Sequence, residues 1–258
     1  MFNRHTAKLF TVATIASVLV GCGKAPVTGA ILGQANAGQI VGIPANYQAG
    51  QPLAGTEGQP TLRKVNWPTI TRTADGTPSD PVNLIIAGTE AQVRHVFGAE
   101  GWVEADKLTA WTAIKTIKGA LADSAYPTSP MSDLYMYNRK QDIALQKNAT
   151  SVRHRDHLRV WQTPLKDHYG RPFWAVAATH DIAIKWSAGE VLPTHEIAPS
   201  IDLERQLVVD DFAKSGQIKL RYQLQALPTN FHSVNGGGDE IFSDGKCEVL
   251  ELVVLKIK

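Results

Sequence analysis

The feature that most constrains this chain is a repeated two-residue alternation of apolar and polar side chains after Pro127 and Pro130. Leu134–Tyr137 and Ile143–Lys147 flank a turn at Asn138–Gln141. His157–Thr163 and Phe173–Ala178 follow, joined by Lys166–Pro172 with the turn residues Gly170 and Pro172. Ile218, Leu220, Tyr222 and Leu224 alternate again, and Cys247–Ile257 predicts a final, central strand. Strand side chains point alternately to the two faces of a sheet, so each segment has a face to bury. Short connections favour antiparallel neighbours. Three segments carry helical spacing instead. Thr89 is the N-cap of a helix running to about Gly98. Trp111, Ile114, Ile117 and Leu121 line one face of a second helix that begins near Leu108. Ser200 caps a third that runs to about Lys214. Val82–Ala87 reads as a buried strand and Gly236-Gly237-Gly238 as a mobile loop. The expected fold is α+β, a largely antiparallel mixed sheet with about three helices packed on it.

The N-terminus constrains location rather than fold. A basic start with Arg4 and Lys8 precedes an apolar run from Leu9 to Leu19, and Leu19-Val20-Gly21-Cys22 closes it. The run is shorter than the ~20 residues that cross a bilayer. It resembles a bacterial lipoprotein signal peptide over residues 1–21, with Cys22 as the lipidated residue. That resemblance implies two or three acyl chains, enough for stable anchoring. Gly23 in place of Asp implies the periplasmic face of the outer membrane. Residues 22–66 read as a flexible tether. Lys24 and Glu57 are its only charges up to Gln59, and it has no apolar periodicity to bury. Its r.m.s. reach is about 35 Å. Residues 67–258 form the globular domain.

Removing Arg4 and Lys8 leaves as many basic as acidic residues, from 26 Lys+Arg and 24 Asp+Glu in the whole chain. Nothing then draws nucleic acid by net charge, and no nucleic-acid partner is expected. With Cys22 lipidated, Cys247 has no disulfide partner, and its setting among valines and leucines marks a buried small hydrophobe.

Polar residues concentrate in three places. Arg139 and Asp142 lie at the Tyr137–Asp142 turn. His157, Arg159 and Trp161 share one face of a strand, with Leu158 and Val160 on the dry face. His195 precedes a helix whose first turns hold Asp202, Glu204 and Arg205. Two readings stand side by side. In one, His157, His195 and Asp202 are catalytic. Arg139, Asp142, Arg159, Trp161, Asp181, Glu204 and Arg205 then line a pocket for an anionic, phosphate-bearing lipid or glycan, as in a hydrolase. In the other, the same charges form a structural salt-bridge network and the protein is a non-catalytic binding or scaffolding module. His157, His180, His195 and Asp181 are zinc-ligand types, but none stands at a ligand spacing, so no metal is expected and no cofactor. The glycine run lacks the Lys-Ser/Thr of a phosphate loop, and no serine sits in a nucleophile elbow. Trp161, Trp174 and Trp186 could stack on a sugar or lipid, although packing is the commoner use.

Several blocks together resemble the LssY C-terminal domain family. They are Asp80-Pro81-Val82-Asn83-Leu84, Gly101-Trp102, Asn138-Arg139-Lys140-Gln141-Asp142, His157-Leu158-Arg159-Val160-Trp161, Trp174, Asp181, and Thr194-His195 through Ile201-Asp202-x-Glu204-Arg205. The resemblance covers roughly Asp80 to Phe212. Asn138 stands where the family often has Gly. Members can be fused to membrane domains similar to phosphatidic-acid-type phosphatases, which implies envelope lipids or phosphates nearby and supplies no mechanism.

Overall fold

Pro172–Lys185, 14 residues with an unbroken apolar run over Phe173–Ala178 that is buried on both faces, is the longest strand, and the other elements are arranged around it. The computed structural model describes residues 62, 67–107, 109, 112, 115–119, 126–148, 153–185 and 194–254. All lie in the compact unit Gly38–Lys258. Cys22, Trp111, Ile114, Leu121 and Trp186 fall outside the described residues, as does the expected tether apart from Leu62.

In chain order the elements begin with strands β1 (Ile70–Arg72), β2 (Pro78–Pro81) and β3 (Leu84–Ala87), then helix α1 (Glu90–Ala99) and β4 (Val103–Glu104). A second helix, α2, is described over residues 115–119. After it come β5 (Tyr135–Met136), β6 (Arg139–Lys140), β7 (Ile143–Lys147), β8 (Arg155–Lys166), β9 (Pro172–Lys185) and β10 (Thr194–Ile197). Helix α3 (Ile201–Lys214) precedes β11 (Ile218–Gln225), β12 (Phe231–Val234), β13 (Glu240–Ser243) and β14 (Lys246–Leu252).

The chain is α+β and mostly β. The main sheet runs β11-β14-β3-β9-β8-β7-β4. Every neighbouring pair is antiparallel except β14 with β3. β14 is thus interior, and Cys247 is buried there. A second sheet runs β2-β1-β5-β6.

The alternation fixes what each face of the main sheet buries. Leu84, Ile86, Leu158, Val160, Trp174, Val176 and Leu250 pack against α1 and α3 through Val93, Phe97, Val208 and Phe212. Ile85, Trp161, Phe173, Ala175, Ala177 and Val249 form the opposite core with Trp67, Val82, Leu134 and Met136 around the second sheet. Trp161 and Trp174 are therefore core residues. Leu62 joins this second core, with its amide donating to the Tyr222 hydroxyl at 3.0 Å.

Local chemistry sets the connections. Thr89 and Gln92 form a capping box at the start of α1. Ser200 is the N-cap of α3, without a side-chain cap bond. Tyr137 and Asn138, with φ of 54° and 58°, make the two-residue turn between β5 and β6. Left-handed backbone at both positions is the primed hairpin geometry, which Asn tolerates better than most residues. The glycine run makes the turn of the β12–β13 hairpin, where the Asn235 side chain accepts from the amides of Gly237 and Asp239. A Cβ on Gly236 would clash with Thr73 Cγ2, so only glycine fits there.

The edge of β9 brings polar groups together. β3 pairs only with Phe173–Val176. Beyond it, Asn83 donates to the Ala178 carbonyl at 2.8 Å and accepts from the Ala178 amide at 3.1 Å. The Ala198 amide then meets the His180 carbonyl, and β10 pairs with Asp181–Lys185. An Asn side chain thus bridges two strands that share one edge, and it brings His195 alongside Asp181.

Candidate functional site

Odd-numbered residues of β8 and β9 face the core away from the helices, so Arg155, His157 and Arg159 share a face with Thr179 and Asp181. Asp181, fully buried, is the centre. The Arg155 Nε donates to its Oδ2 at 2.6 Å. His157 Nδ1 lies 3.2 Å from Oδ1 and His195 Nδ1 lies 3.2 Å from Oδ2. Arg155, 1% exposed, also donates to the Ser129 carbonyl and to Gln146 Oε1. Arg159 pairs with Asp80 at 3.3 Å and donates to the Ser132 carbonyl at 3.0 Å. Asp80 in turn accepts from Asn235 at 3.2 Å.

Burial decides the protonation states. It pushes His157 down to about 3, assisted by the Arg159 and Arg155 charges, while Asp181 opposes the shift. His195 is lowered for the same first reason. Both imidazoles are therefore neutral at pH 7. With a proton on His157 Nδ1, facing Asp181, the Thr179 hydroxyl donates to Nε2 at 2.9 Å. Burial alone would raise Asp181, but interactions with His157, His195 and Arg155 lower its carboxyl instead, and with both imidazoles neutral the Arg155 guanidinium supplies the lasting charge. The one fixed cation among these partners is Arg155, and it keeps Asp181 ionised. The cluster then holds two guanidiniums and two carboxylates in two pairs. Its most exposed member around Asp181 is the His195 ring, 17% exposed.

The other expected site residues lie elsewhere. Trp161 shares the face but sits deeper in the core. Arg139 and Asp142 pair with each other near the surface, and Asp142 accepts from the Gln162 amide. Asp202 and Arg205 are on α3, across the sheet from His157. Arg205 binds Asp202 at 3.0 Å, Asp244 at 2.8 Å and the Lys246 carbonyl at 2.7 Å. Asp202 and Asp244 line a cleft of about 300 Å³ with Ser200, Asn230, Phe231, Phe242 and Ser243. The helix start expected beside the histidines thus opens onto carboxylates.

Even-numbered neighbours on the same strands make a separate cluster under α3. Asp156, His180 and Glu204 each place a ligand-type atom within 4.8 Å of the others. His180 Nδ1 meets Asp156 Oδ1 at 2.5 Å, and Asn148 donates to Asp156 Oδ2 at 2.6 Å. Glu204 is 4% exposed, and its Oε1 has no hydrogen-bond partner among the described residues. Burial first, then Asp156, pushes the Glu204 carboxyl up to about 9.

Sequence reasoning missed Arg155 and Asp80 as partners and Asp156 as a site residue. The signal for Arg155 is its place two residues before His157. Glu204, already singled out in the sequence, carries a stronger signal. It falls on the helical stripe Ile201, Arg205, Val208 and Phe212, where an unpaired acid is costly.

The model of the family described as LssY C-terminus matches residues 64–247. No curated protein and no solved structure matches the chain.

Proposed function

The chain belongs to the LssY C-terminus family, and on that premise we propose a lipid-anchored envelope protein whose domain binds or scaffolds without catalysing a reaction. In this reading the Arg/His cluster is a buried network that holds β8, β9 and β10 in register. The anchor at Cys22, at the periplasmic face of the outer membrane, rests on the signal-like N-terminus. Among the described residues no helix is long and apolar enough to cross a membrane.

The observation that carries the reading is the charge balance of the cluster. A site for a phosphate or carboxylate needs guanidinium donors in excess of the protein's own carboxylates. Here Arg155 is committed to Asp181 and Arg159 to Asp80. Such pairs add little net stability over a well-packed apolar core, but breaking one leaves a charge stranded, so they lock a geometry once formed.

One observation favours a hydrolase instead. His195 combines a buried Asp181 at its Nδ1 with a partly exposed ring, the arrangement of an oriented general base.

Thermal melts of the full chain with and without inorganic phosphate separate the two, using His157→Gln and His195→Gln. The network reading expects no phosphate response in the wild-type chain. It also expects His157→Gln to cost ~1–3 kcal/mol through its lost Thr179 and Asp181 contacts. A phosphate-dependent rise in Tm that both variants lose while staying folded would overturn it. Separately, Cys22→Ser should yield a soluble or unprocessed chain. A variant still acylated and membrane-bound would end the lipoprotein assignment.

A further inference from the structure

We infer that Asp156, His180 and Glu204 form a binding site for one divalent transition-metal ion of the Zn²⁺ or Mn²⁺ type. The three residues come from β8, β9 and α3, so the fold and not a local sequence motif assembles them. Their ligand-type atoms lie within 4.8 Å of one another, close enough to converge on a common ion. One imidazole with two carboxylates suits these borderline ions better than a thiolate-preferring or an all-oxygen one.

The independent sign of a ligand is Glu204. It is 4% exposed, its carboxyl meets another acid, Asp156, and its Oε1 makes no hydrogen bond among the described residues, which is costly unless something else satisfies it. The nearby cations are committed elsewhere. Lys147, the cross-strand neighbour of Asp156 on β7, is engaged by Asp211, and Arg205 faces Asp202 and Asp244. Arg155 lies across the sheet on Asp181. Asn148, donating to Asp156 Oδ2, orients one ligand from outside.

Three protein ligands leave at least one coordination position for water, the pattern of an open rather than a closed site. His180 is 37% exposed, which gives the ion a route in. This site is on the helix side of the sheet. It does not depend on the network reading of the Arg/His cluster, and the two can fail separately.

The test is calorimetric titration of the EDTA-treated, dialysed full chain with ZnCl₂ and then MnCl₂, together with metal content by elemental analysis. The expected result is one ion per chain and a Tm that rises with the metal. Glu204→Gln replaces the carboxyl with an amide of the same shape, so it should fold and still lose binding. Glu204→Gln and His180→Ala should each weaken affinity by more than the roughly 100-fold that outer contacts cost, and Asn148→Ala by about 10-fold. His232→Ala, at an exposed histidine, should change nothing. Failure of the wild-type chain to bind either ion would overturn the site, as would binding that survives both Glu204→Gln and His180→Ala.

Discussion

Arg155 and Asp156 are adjacent in β8, as are His180 and Asp181 in β9, yet each pair is split between two opposed environments. On the face away from the helices, Asp181 and Asp80 each have a guanidinium partner, and only the His195 ring is partly exposed. On the helix face, Asp156 and Glu204 crowd together beside a half-exposed imidazole, with no fixed cation in the group. The same two strands thus build one region whose carboxylates are paired with guanidiniums and one where two acids meet without such a partner. A one-residue step along a strand is enough to pass from a structural network to a candidate ligand site, because successive side chains leave the sheet in opposite directions.

This contrast can be broken most forcefully at Arg155. Arg155→Ala strands the Asp181 carboxylate in a buried setting and should cost ~3–5 kcal/mol in urea unfolding, if it folds at all. A loss under ~1 kcal/mol would mean that the network is not closed. Acid sharpens the comparison with another buried carboxylate, Asp211 on α3, which has three direct donors. It accepts from Trp102 Nε1 at 2.9 Å, Lys147 at 2.7 Å and Lys214 at 3.1 Å. Burial opposes ionisation there, but these contacts prevail and hold its carboxyl below 3.8. A depressed folded value contributes stability that is whole above the unfolded value and vanishes as pH falls through the folded one. Asp211→Asn should therefore cost ~1–3 kcal/mol at neutral pH and flatten the decline in stability below about pH 4. An unchanged acid limb would contradict the assignment. The smallest effect is expected at Arg139. Its pair with Asp142 is partly exposed, so Arg139→Ala should change stability by less than ~1 kcal/mol. It should leave phosphate response and metal binding untouched in the same melts and titrations.

The sequence carried the faces of the sheet better than its neighbours in space. Alternation in His157–Trp161 put His157 and Arg159 on one face and Leu158 and Val160 on the other, and the two cores separate that way. The three strand-and-helix segments around Phe173, Ser200 and Ile218 were legible from spacing alone. The short strands β1, β2, β4, β12 and β13 were not, because two to four residues give no period to read. β10 was hidden for another reason. Thr194–Ile197 carries no alternation of its own and becomes a strand by pairing with the free edge of β9 beyond Asn83. That pairing is what brings His195 to Asp181. The histidines and their carboxylate were thus visible as residue types, while their convergence depended on a long-range contact. Asp202 and Arg205, close to His195 in sequence, went to the opposite side of the sheet with α3.

The central claim is that the two back-to-back clusters differ in charge balance. Equilibrium urea unfolding of Asp181→Asn beside Asp156→Asn, both in EDTA at pH 7, tests it directly. Asp181→Asn leaves Arg155 buried without a counter-charge and should lose ~3–5 kcal/mol. Asp156 is buried, but Asp156→Asn gives up its link to the half-exposed His180 while relieving its crowding with Glu204, so it should cost less, about 1–2 kcal/mol. Equal losses from the two substitutions, or a larger one from Asp156→Asn, would contradict the account.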